Sequence, residues 1–593
     1  MGNGMGSLYV GSSGLRSAQN ALNTTANNLA NVNTTGYVRQ QVLYTDHNYV
    51  KCGISSSISP QQCGLGVKIG DVVHARDVFL DKAYRAEAGR QAYYAATAEA
   101  IDEVYTFFQE LEGEAFQGSL QDLWTSFQEL SKDPSDSVNQ NLVVQKSGLF
   151  LSRASAVYDG LKAYQSNINQ KITANIDRIN EIGHRIHEIN IEIKSAESGG
   201  VETAMTLRDE RDNCLDELAT MADISYKEDA EGVVKVYLEG MEFVSEAGCY
   251  EMGKLVDDIT KFVTPYWPHT SDPSREQYDE VYSYTIEIAS EINTDIGELK
   301  ALLLARGDRN ATYRDVVGVS KNEYNRSTAE HIATGMSVML NAEAGLDQLF
   351  HEIVTAINDL LCPNTEASNV LDFRGANSDG ELTLTDVSGN TYTVTSDTLF
   401  LDAENCSVGV DGKLPPQELF VRIGTERYTE IEIDNGDGTT SSYYLYNEEV
   451  ADKTAMQYTI DSVEINQVLI SQETLIPHLK QDGQVNYALA EQLAALWDEE
   501  NLTLDPNDTN KVSYMDYYSN MIGALGTLGS VHETTAANLS GTVTAVLNQR
   551  AQVMGVSSDE ELTKMIKYQN AYNAASRFIN VVNEMIEHLV TAL

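Results

Sequence analysis

Residues 7–32 read SLYVGSSGLRSAQNALNTTANNLANV. Leu8, Leu15, Leu22 and Leu29 recur every seventh residue with Gly11, Ala18, Thr25 and Val32 between them, the 3–4 alternation of a helix with one narrow apolar seam. The other end of the chain answers in kind: Met565, Tyr568, Tyr572, Ala575, Ile579, Val582, Ile586, Leu589 and Leu593 keep the same alternation. A helix with a single apolar stripe cannot bury that stripe alone. The two ends are expected to pack on each other, on neighbouring copies or, as ordinary terminal helices, on a globular core. Periodicity does not choose among these.

Composition narrows the partners. The 593 residues exceed one hydrophobic core and predict roughly three to five domains. Acidic residues outnumber basic ones 88 to 40, a formal charge of −48, and such a surface repels phosphate backbones and anionic headgroups, so nucleic acid is not expected as a partner. No apolar run is long enough to span a bilayer, and Met1 to Leu29 lacks the basic start and apolar block of a cleavable signal. No membrane insertion is expected, and the cytosol is the default unless another export route carries the chain. The six cysteines show no CxxC pair and no zinc spacing. Cys52 and Cys63 flank a β-rich stretch, where a disulfide and two free thiols are both compatible with the spacing.

The N-terminal seam ends in a polar run, Thr25-Ala-Asn27-Asn28-Leu-Ala-Asn31-Val-Asn33-Thr-Thr35-Gly36-Tyr37-Val-Arg39-Gln40. Asn and Gly tolerate the left-handed conformation that stops a helix, so part of this run is an ordinary cap. About sixteen residues in this order also resemble the N-terminal signature of bacterial flagellar axial proteins. The Gly36-Tyr37-x-Arg39-Gln40 ending is most similar to the hook-associated protein 1 family. Two further stretches carry the same resemblance. Leu207-Arg-Asp209-Glu-Arg211-Asp212, by charge pattern a solvated helical face, is similar to the stretch that ends the family's long helix. Gly555-Val-Ser-Ser-Asp559-Glu560-Glu561, with Tyr568-Gln-Asn-Ala-Tyr572 and Asn583-Glu-Met585 beyond it, resembles the family's C-terminal signature, with Ser558 where the family often has an apolar residue. Rod and hook proteins share the Asn-rich start; length, Arg39-Gln40, Arg208 to Asp212 and the DEE start separate this chain from them.

The periodicities predict a mainly α protein with β insertions. Its terminal helices are expected to pair as a coiled coil, beside a long rod-like helical bundle and two outward β-rich domains. Residues 1–40 and 554–593 would form the terminal assembly core. Residues 41–222, 294–365 and 481–553 would form the helical rod with its β connector, and 223–293 and 366–480 the two β-rich insertions. The rod's main seam is read as Ile168, Ile172, Asn175, Ile179, Ile182, Ile186, Ile189 and Ile193, with Asn175 a polar register residue.

Searching for chemistry yields little. His184, His187 and Glu188 share a helix face, but on the polar side of the isoleucine seam and without a third ligand position. Asp434-Asn-Gly-Asp-Gly438 lacks the alternating ligands of a calcium loop and reads as a hairpin turn. No phosphate-binding, serine-hydrolase or zinc-protease motif occurs. No catalytic residue, cofactor or metal is expected. The resemblance implies a structural subunit of the bacterial flagellum at the hook–filament junction, secreted through type III export without a cleaved signal. It also implies self-association in a tube, contacts to hook protein and the next hook-associated protein, and an export chaperone on the C-terminal helix. The residues it assigns to assembly are Leu8, Leu15, Leu22, Leu29, Asn27, Asn28, Asn31, Asn33, Gly36, Tyr37, Met565, Tyr568, Tyr572, Ile579, Val582, Ile586 and Leu589. A secreted enzyme or glycan-binding protein acting through a β insertion, a coiled-coil effector or adhesin, and another flagellar axial protein are the alternatives.

Overall fold

A computed structural model describes residues 2–34, 36–47, 49–51, 62–109, 116–198, 204–329, 331–378, 380–434, 439–451 and 453–591. Helix α1 (Gly2–Ala30) carries the N-terminal seam. It stops where the Asn31 amide turns back onto the Asn27 carbonyl (3.0 Å), as the polar run predicts. Strands β1 (Gln40–Asp46), β2 (Tyr49–Lys51), β3 (Gln62–Gly64) and β4 (Val67–His74) follow, β1 pairing antiparallel with β4 and β2 with β3. Cys52 and the Cys63 side chain lie outside the described residues.

Four helices come next: α2 (Val78–Gln109), α3 (Phe116–Lys132), α4 (Ser137–Glu197) and α5 (Met205–Met221). Asp136 caps α4 by accepting from Val138 N (3.0 Å), and with 61 residues this helix is ~90 Å long. The first β stretch holds β5 (Ile224–Glu228), β6 (Val234–Leu238) and β7 (Met241–Val244) in one antiparallel sheet, then the hairpin β8 (Gly253–Val256) and β9 (Val263–Tyr266). Helices α6 (Glu298–Arg306), α7 (Lys321–Asn325) and α8 (Val338–Leu361) return the chain to the bundle. The second β stretch comprises β10 (Asn364–Glu366), the turn α9 (Ala367–Val370), β11 (Leu382–Thr385), β12 (Thr391–Val394), β13 (Leu399–Leu401), β14 (Phe420–Arg422), β15 (Tyr428–Asp434), β16 (Thr440–Tyr446) and β17 (Val463–Ile465). The order β10-β13-β16-β15 makes its largest sheet. Residues 435–438, where a hairpin turn is expected, lie outside the described residues. Finally α10 (Gln467–Ser471), α11 (Tyr487–Ala495), α12 (Tyr514–Met554) and α13 (Ser558–Thr591) complete the chain, with α12 lying along α2 and α13 along α1.

One continuous core joins the helices to much of both β stretches. Ile172 and Ile186 of α4 share it with Val236, Phe243 and Trp267 of the first stretch and with Phe420, Tyr458 and Ile465 of the second. Ala367, Leu384, Val394, Phe400 and Ile431 form a separate small cluster. Along α4 the buried row runs Ile168, Ile172, Ile176, Ile179, Ile182, Ile186, Ile189, Ile193. Ile176, not Asn175, holds the seam, because a 3.6-residue helix drifts from a strict heptad and the next core position after Ile172 comes four residues on. Asn175 is half-buried beside it. Asn190 is a buried polar residue inside the row and Gln165 another just before it. Gln165 donates to the carbonyls of Arg306 (2.8 Å) and Arg309 (3.0 Å). Asn190 exchanges two hydrogen bonds with the Val234 backbone (2.8 and 3.1 Å), so α4 docks β6 as a strand partner would.

Replacing Ile176 by Ala should destabilise the body by about 2–5 kcal/mol through a buried cavity, whereas Asn175→Ala should change it by less than about 1 kcal/mol; urea unfolding of the two variants measures both.

Candidate functional site: the junction of the chain ends

Helices α1 and α13 pack antiparallel. Gly11 lies against Ile579, where an added Cβ would come within 2.6 Å of Cγ1. Gly14 faces Ala575, and Asn28, near the end of α1, meets Glu561 in the first turn of α13. The buried residues of α1 are small, Gly11, Ser17, Ala18, Ala21 and Thr25, ending in Asn28. Small side chains let the helix axes approach closely. Leu8, Leu15, Leu22 and Leu29 flank these residues and remain half-exposed. On α13 Val582 is buried, while Met565, Tyr568, Tyr572, Ile579 and Ile586 are half-buried; the Leu589 side chain is outside the described residues. Leu562, Ile566, Phe578, Val581 and Met585 of α13 are exposed, with the edge of Phe578 beside Gly11 of α1. Sequence reading missed this exposed set, although the apolar spacing from Phe578 to Met585 was a usable signal.

Asn28 is 1% exposed and uses every hydrogen-bonding position of its amide. Its Nδ2 donates to the Gln40 carbonyl (2.9 Å) and to Glu561 Oε2 (3.1 Å). Its Oδ1 accepts from Gln40 N (3.0 Å) and Tyr37 Oη (2.8 Å). Burial, with Asp209 and Glu561 nearby, pushes the Tyr37 hydroxyl up to about 12, so it stays a donor. Asn27 reaches the same hydroxyl (3.4 Å), and Asn31 closes the helix end; Asn33 is exposed. Gly36 has φ +78° and a Cβ there would strike the Asn213 side chain of α5, so both conformation and space demand glycine. Arg39 N donates to the Met554 carbonyl at the end of α12 (2.8 Å), and its guanidinium meets Glu560 (3.2 Å).

The charges of α5 do not form a solvated face. Arg208 pairs with Glu197 and Glu228. Asp209 accepts from Val38 N (3.2 Å) and stands 3.4 Å from His74 Nδ1. Arg211, 2% exposed, donates to Asn190 Oδ1 (3.1 Å) and the Gly232 carbonyl (2.6 Å). Asp212 pairs with Arg76 and with Arg85 (3.1 Å). Asp216 holds Arg85 (2.6 Å) and Arg550 of α12 (2.9 Å), and Asp81 closes the ring onto Arg76 and Arg550. Three arginines and three aspartates thus bind the connector, α2, α5 and α12 together in a site largely removed from water. Such charges are tolerated only because each is paired. Burial raises the Asp209 carboxyl to about 7 and, with Arg76 and Arg208, lowers His74 to about 4.

Three family models match parts of the chain. A family model described as the flagellar hook-associated protein FlgK helical domain matches residues 101–361. The flagella basal body rod protein model matches 8–37, and the flagellar basal body rod FlgEFG protein C-terminal model matches 549–592. Flagellar hook-associated protein 1 of Bacillus subtilis is 23% identical over 98% of this chain and 96% of the relative. That of Escherichia coli is 22% identical over 98% of each. The chain is similar to flagellar hook-associated protein 1 over nearly its whole length. A solved structure of the flagellar hook junction protein FlgK from Burkholderia pseudomallei aligns with 79% of this chain and 99% of that one, at 13% identity and a TM-score of 0.44. The two rod-type models fall on α1 and α13, the helices that pack together here.

The metal reading at α4 finds other partners. His184 Nε2 meets Glu251 (2.6 Å) and His187 Nδ1 meets the Ser245 carbonyl (3.2 Å). Among the described residues no group of three or more His, Cys, Asp or Glu is placed to hold a metal ion, and no helix is long and apolar enough to cross a membrane.

Asn28→Ala should cost about 1–3 kcal/mol by removing the partner of Glu561 Oε2 and of the Gln40 backbone, read as earlier loss of α1 protection in hydrogen exchange. Because the Asp209 pKa is raised on folding, its contribution is fully present below about pH 4 and is lost as pH rises through about 7. In Asp209→Asn that fall should disappear, measured as the difference in unfolding free energy between variant and wild type from pH 4 to 8.

Proposed function

We propose that this chain is a structural subunit of the bacterial flagellum that joins hook to filament. The family is one of structural flagellar proteins of the extracellular flagellum. The observation that carries the mechanism is the pairing of α1 with α13 across the whole length of the sequence, with apolar surface left over: the half-exposed leucines of α1 and the exposed stripe of α13. A pair that buries only its small-residue line retains a reason to associate further. In this reading residues 1–40 and 554–593 form a coiled-coil core that closes into a tube with neighbouring copies. The helical rod (41–222, 294–365, 481–553) surrounds it, and the β-rich stretches 223–293 and 366–480 are carried outward. Leu8 to Tyr37 and Met565 to Leu589 supply the interface.

Assembly order follows from the same physics. Helices with one-sided stripes are marginal in water when isolated, so while α1 and α13 are kept apart the ends stay frayed and compatible with export in an unfolded form. An export chaperone on α13 would cover Phe578, Val581 and Met585 until the growing tip replaces it with hook protein, a further copy or the next hook-associated protein. The −48 charge opposes association at low ionic strength, so assembly improves with salt.

Leu15→Asp with Leu22→Asp, or deletion of 554–593, should leave the body folded by circular dichroism and abolish incorporation at the hook tip, seen by immunogold labelling and as shed flagellin. Normal filaments in a strain carrying only either variant would refute the assembly role.

A further inference from the structure

Helix α8 carries two acids into the core. Glu343 and Asp347, one turn apart, are both 0% exposed. Each carboxyl receives backbone amides from segments outside the helix. Glu343 Oε2 accepts from Ala311 N (2.9 Å), and Asp347 accepts from Tyr313 N and Ile460 N (2.9 Å each). Neither carboxyl has an arginine or lysine within ion-pair distance among the described residues. Lys162 of α4 faces Glu343 from further off, but it is half-buried and paired with Asp461. Glu343 Oε1 is out of water with no hydrogen-bond partner. Ionisation would place charge on that bare oxygen, a cost that a bound proton removes.

The groups around the pair add mostly negative charge. Asp315, on the segment that follows α6, and Asp461, next to Ile460, face Glu343, while Asp461 and Glu449 face Asp347. Asp315 is itself held by Arg309 (2.7 Å) and the Thr312 amide (2.9 Å). From α4 the Tyr158 hydroxyl donates to the Ala311 carbonyl (3.2 Å). One turn beyond Asp347, His351 stacks on the Tyr313 ring (3.7 Å between centroids) and stands 3.9 Å from Glu449, whose carbonyl accepts from Arg314 (3.4 Å). Burial pushes the Glu343 carboxyl up to about 8 and that of Asp347 up to about 7.

The segments these carboxyls hold are joined to each other. Ala311 and Tyr313 are two residues apart, the Tyr313 hydroxyl donates to Glu449 Oε2, and the same oxygen accepts from Tyr458 N (3.4 Å). Residues 449–461 lead from β16 into β17 of the second β stretch. We propose that Glu343 and Asp347 form a proton-held latch: while protonated they fasten residues 311–313 and 449–461 to α8, and loss of the Glu343 proton loosens the second β stretch from the helical bundle. The sign follows from linkage. The latched state keeps the proton and the opened state releases it at the ordinary carboxylate range of about 4. Opening therefore increases by up to about tenfold per unit of rising pH and levels off above the raised value of about 8. The latch is tightest in acid and loosens through neutrality. It goes beyond the junction reading and stands without it.

The test is hydrogen exchange on the full-length chain, corrected for the intrinsic exchange rate at each pH. It follows the Ala311, Tyr313 and Ile460 amides, with the Met252 amide, held by Asn180 Oδ1 (2.9 Å), as the control. In wild type, opening at the three amides should rise at least about tenfold from pH 6 to 8 while Met252 stays level. Glu343→Gln keeps the shape and an acceptor for Ala311 N without the titrating proton. The ratio of wild-type to Glu343→Gln opening at Ala311 should grow at least about tenfold over the same interval. If Glu343→Gln loses its circular dichroism, Glu343→Met, equally uncharged, is read in the same way. Wild-type opening that is level from pH 6 to 8 overturns the latch whatever the variants do. A wild-type-to-variant ratio that stays constant with pH overturns it too, because the pH response would then come from another group.

Discussion

The buried amide of Asn28 joins three segments at once: the end of α1, the connector at Tyr37 and Gln40, and the start of α13 through Glu561. An amide has four hydrogen-bonding positions, and here all are satisfied away from water, so shifting any of the three segments leaves a buried polar group exposed to an apolar surrounding. That requirement sets the register of the terminal pair. Once Asn28 meets Glu561, the antiparallel run of α1 along α13 brings Gly11 against Ile579, where only glycine fits without a shift.

A second constraint lies one layer deeper. The charges around Asp209, Asp212 and Asp216 tie the connector to α2, α5 and α12. Hydrophobic packing is tolerant of direction, whereas a ring of alternating arginines and aspartates is satisfied in few arrangements. The geometry of the chain ends relative to the body therefore rests on paired charges more than on apolar area. The Val38 amide on Asp209 and the Arg39 amide on the Met554 carbonyl show how closely the signature run is woven into that ring.

Much of this was legible in sequence. Heptads at both ends, the long isoleucine helix and the switch from period 3.6 to period 2 near residue 223 are local patterns, and local patterns survive in one dimension. The misassigned Asn175 shows the limit of that approach: a one-residue slip in register is invisible until a partner surface fixes which side is buried. The charged run of α5 shows another limit. Alternating charges look alike whether they face water or three arginines from elsewhere in the chain, and only the resemblance to a family marked them as special.

The sequence by itself determined that this protein is mainly helical, strongly acidic and furnished with one-sided helices at both ends, because helix periodicity and net charge are properties of neighbouring residues. It also carried the three stretches that resemble a known family. Only the tertiary structure decided that the closest contact between α1 and α13 runs along small residues rather than leucines, that both β stretches share the helical core, and that the α5 charges are buried. Each of those outcomes depends on which residues, hundreds of positions apart, come within a few ångströms of each other, and no period along the chain encodes that.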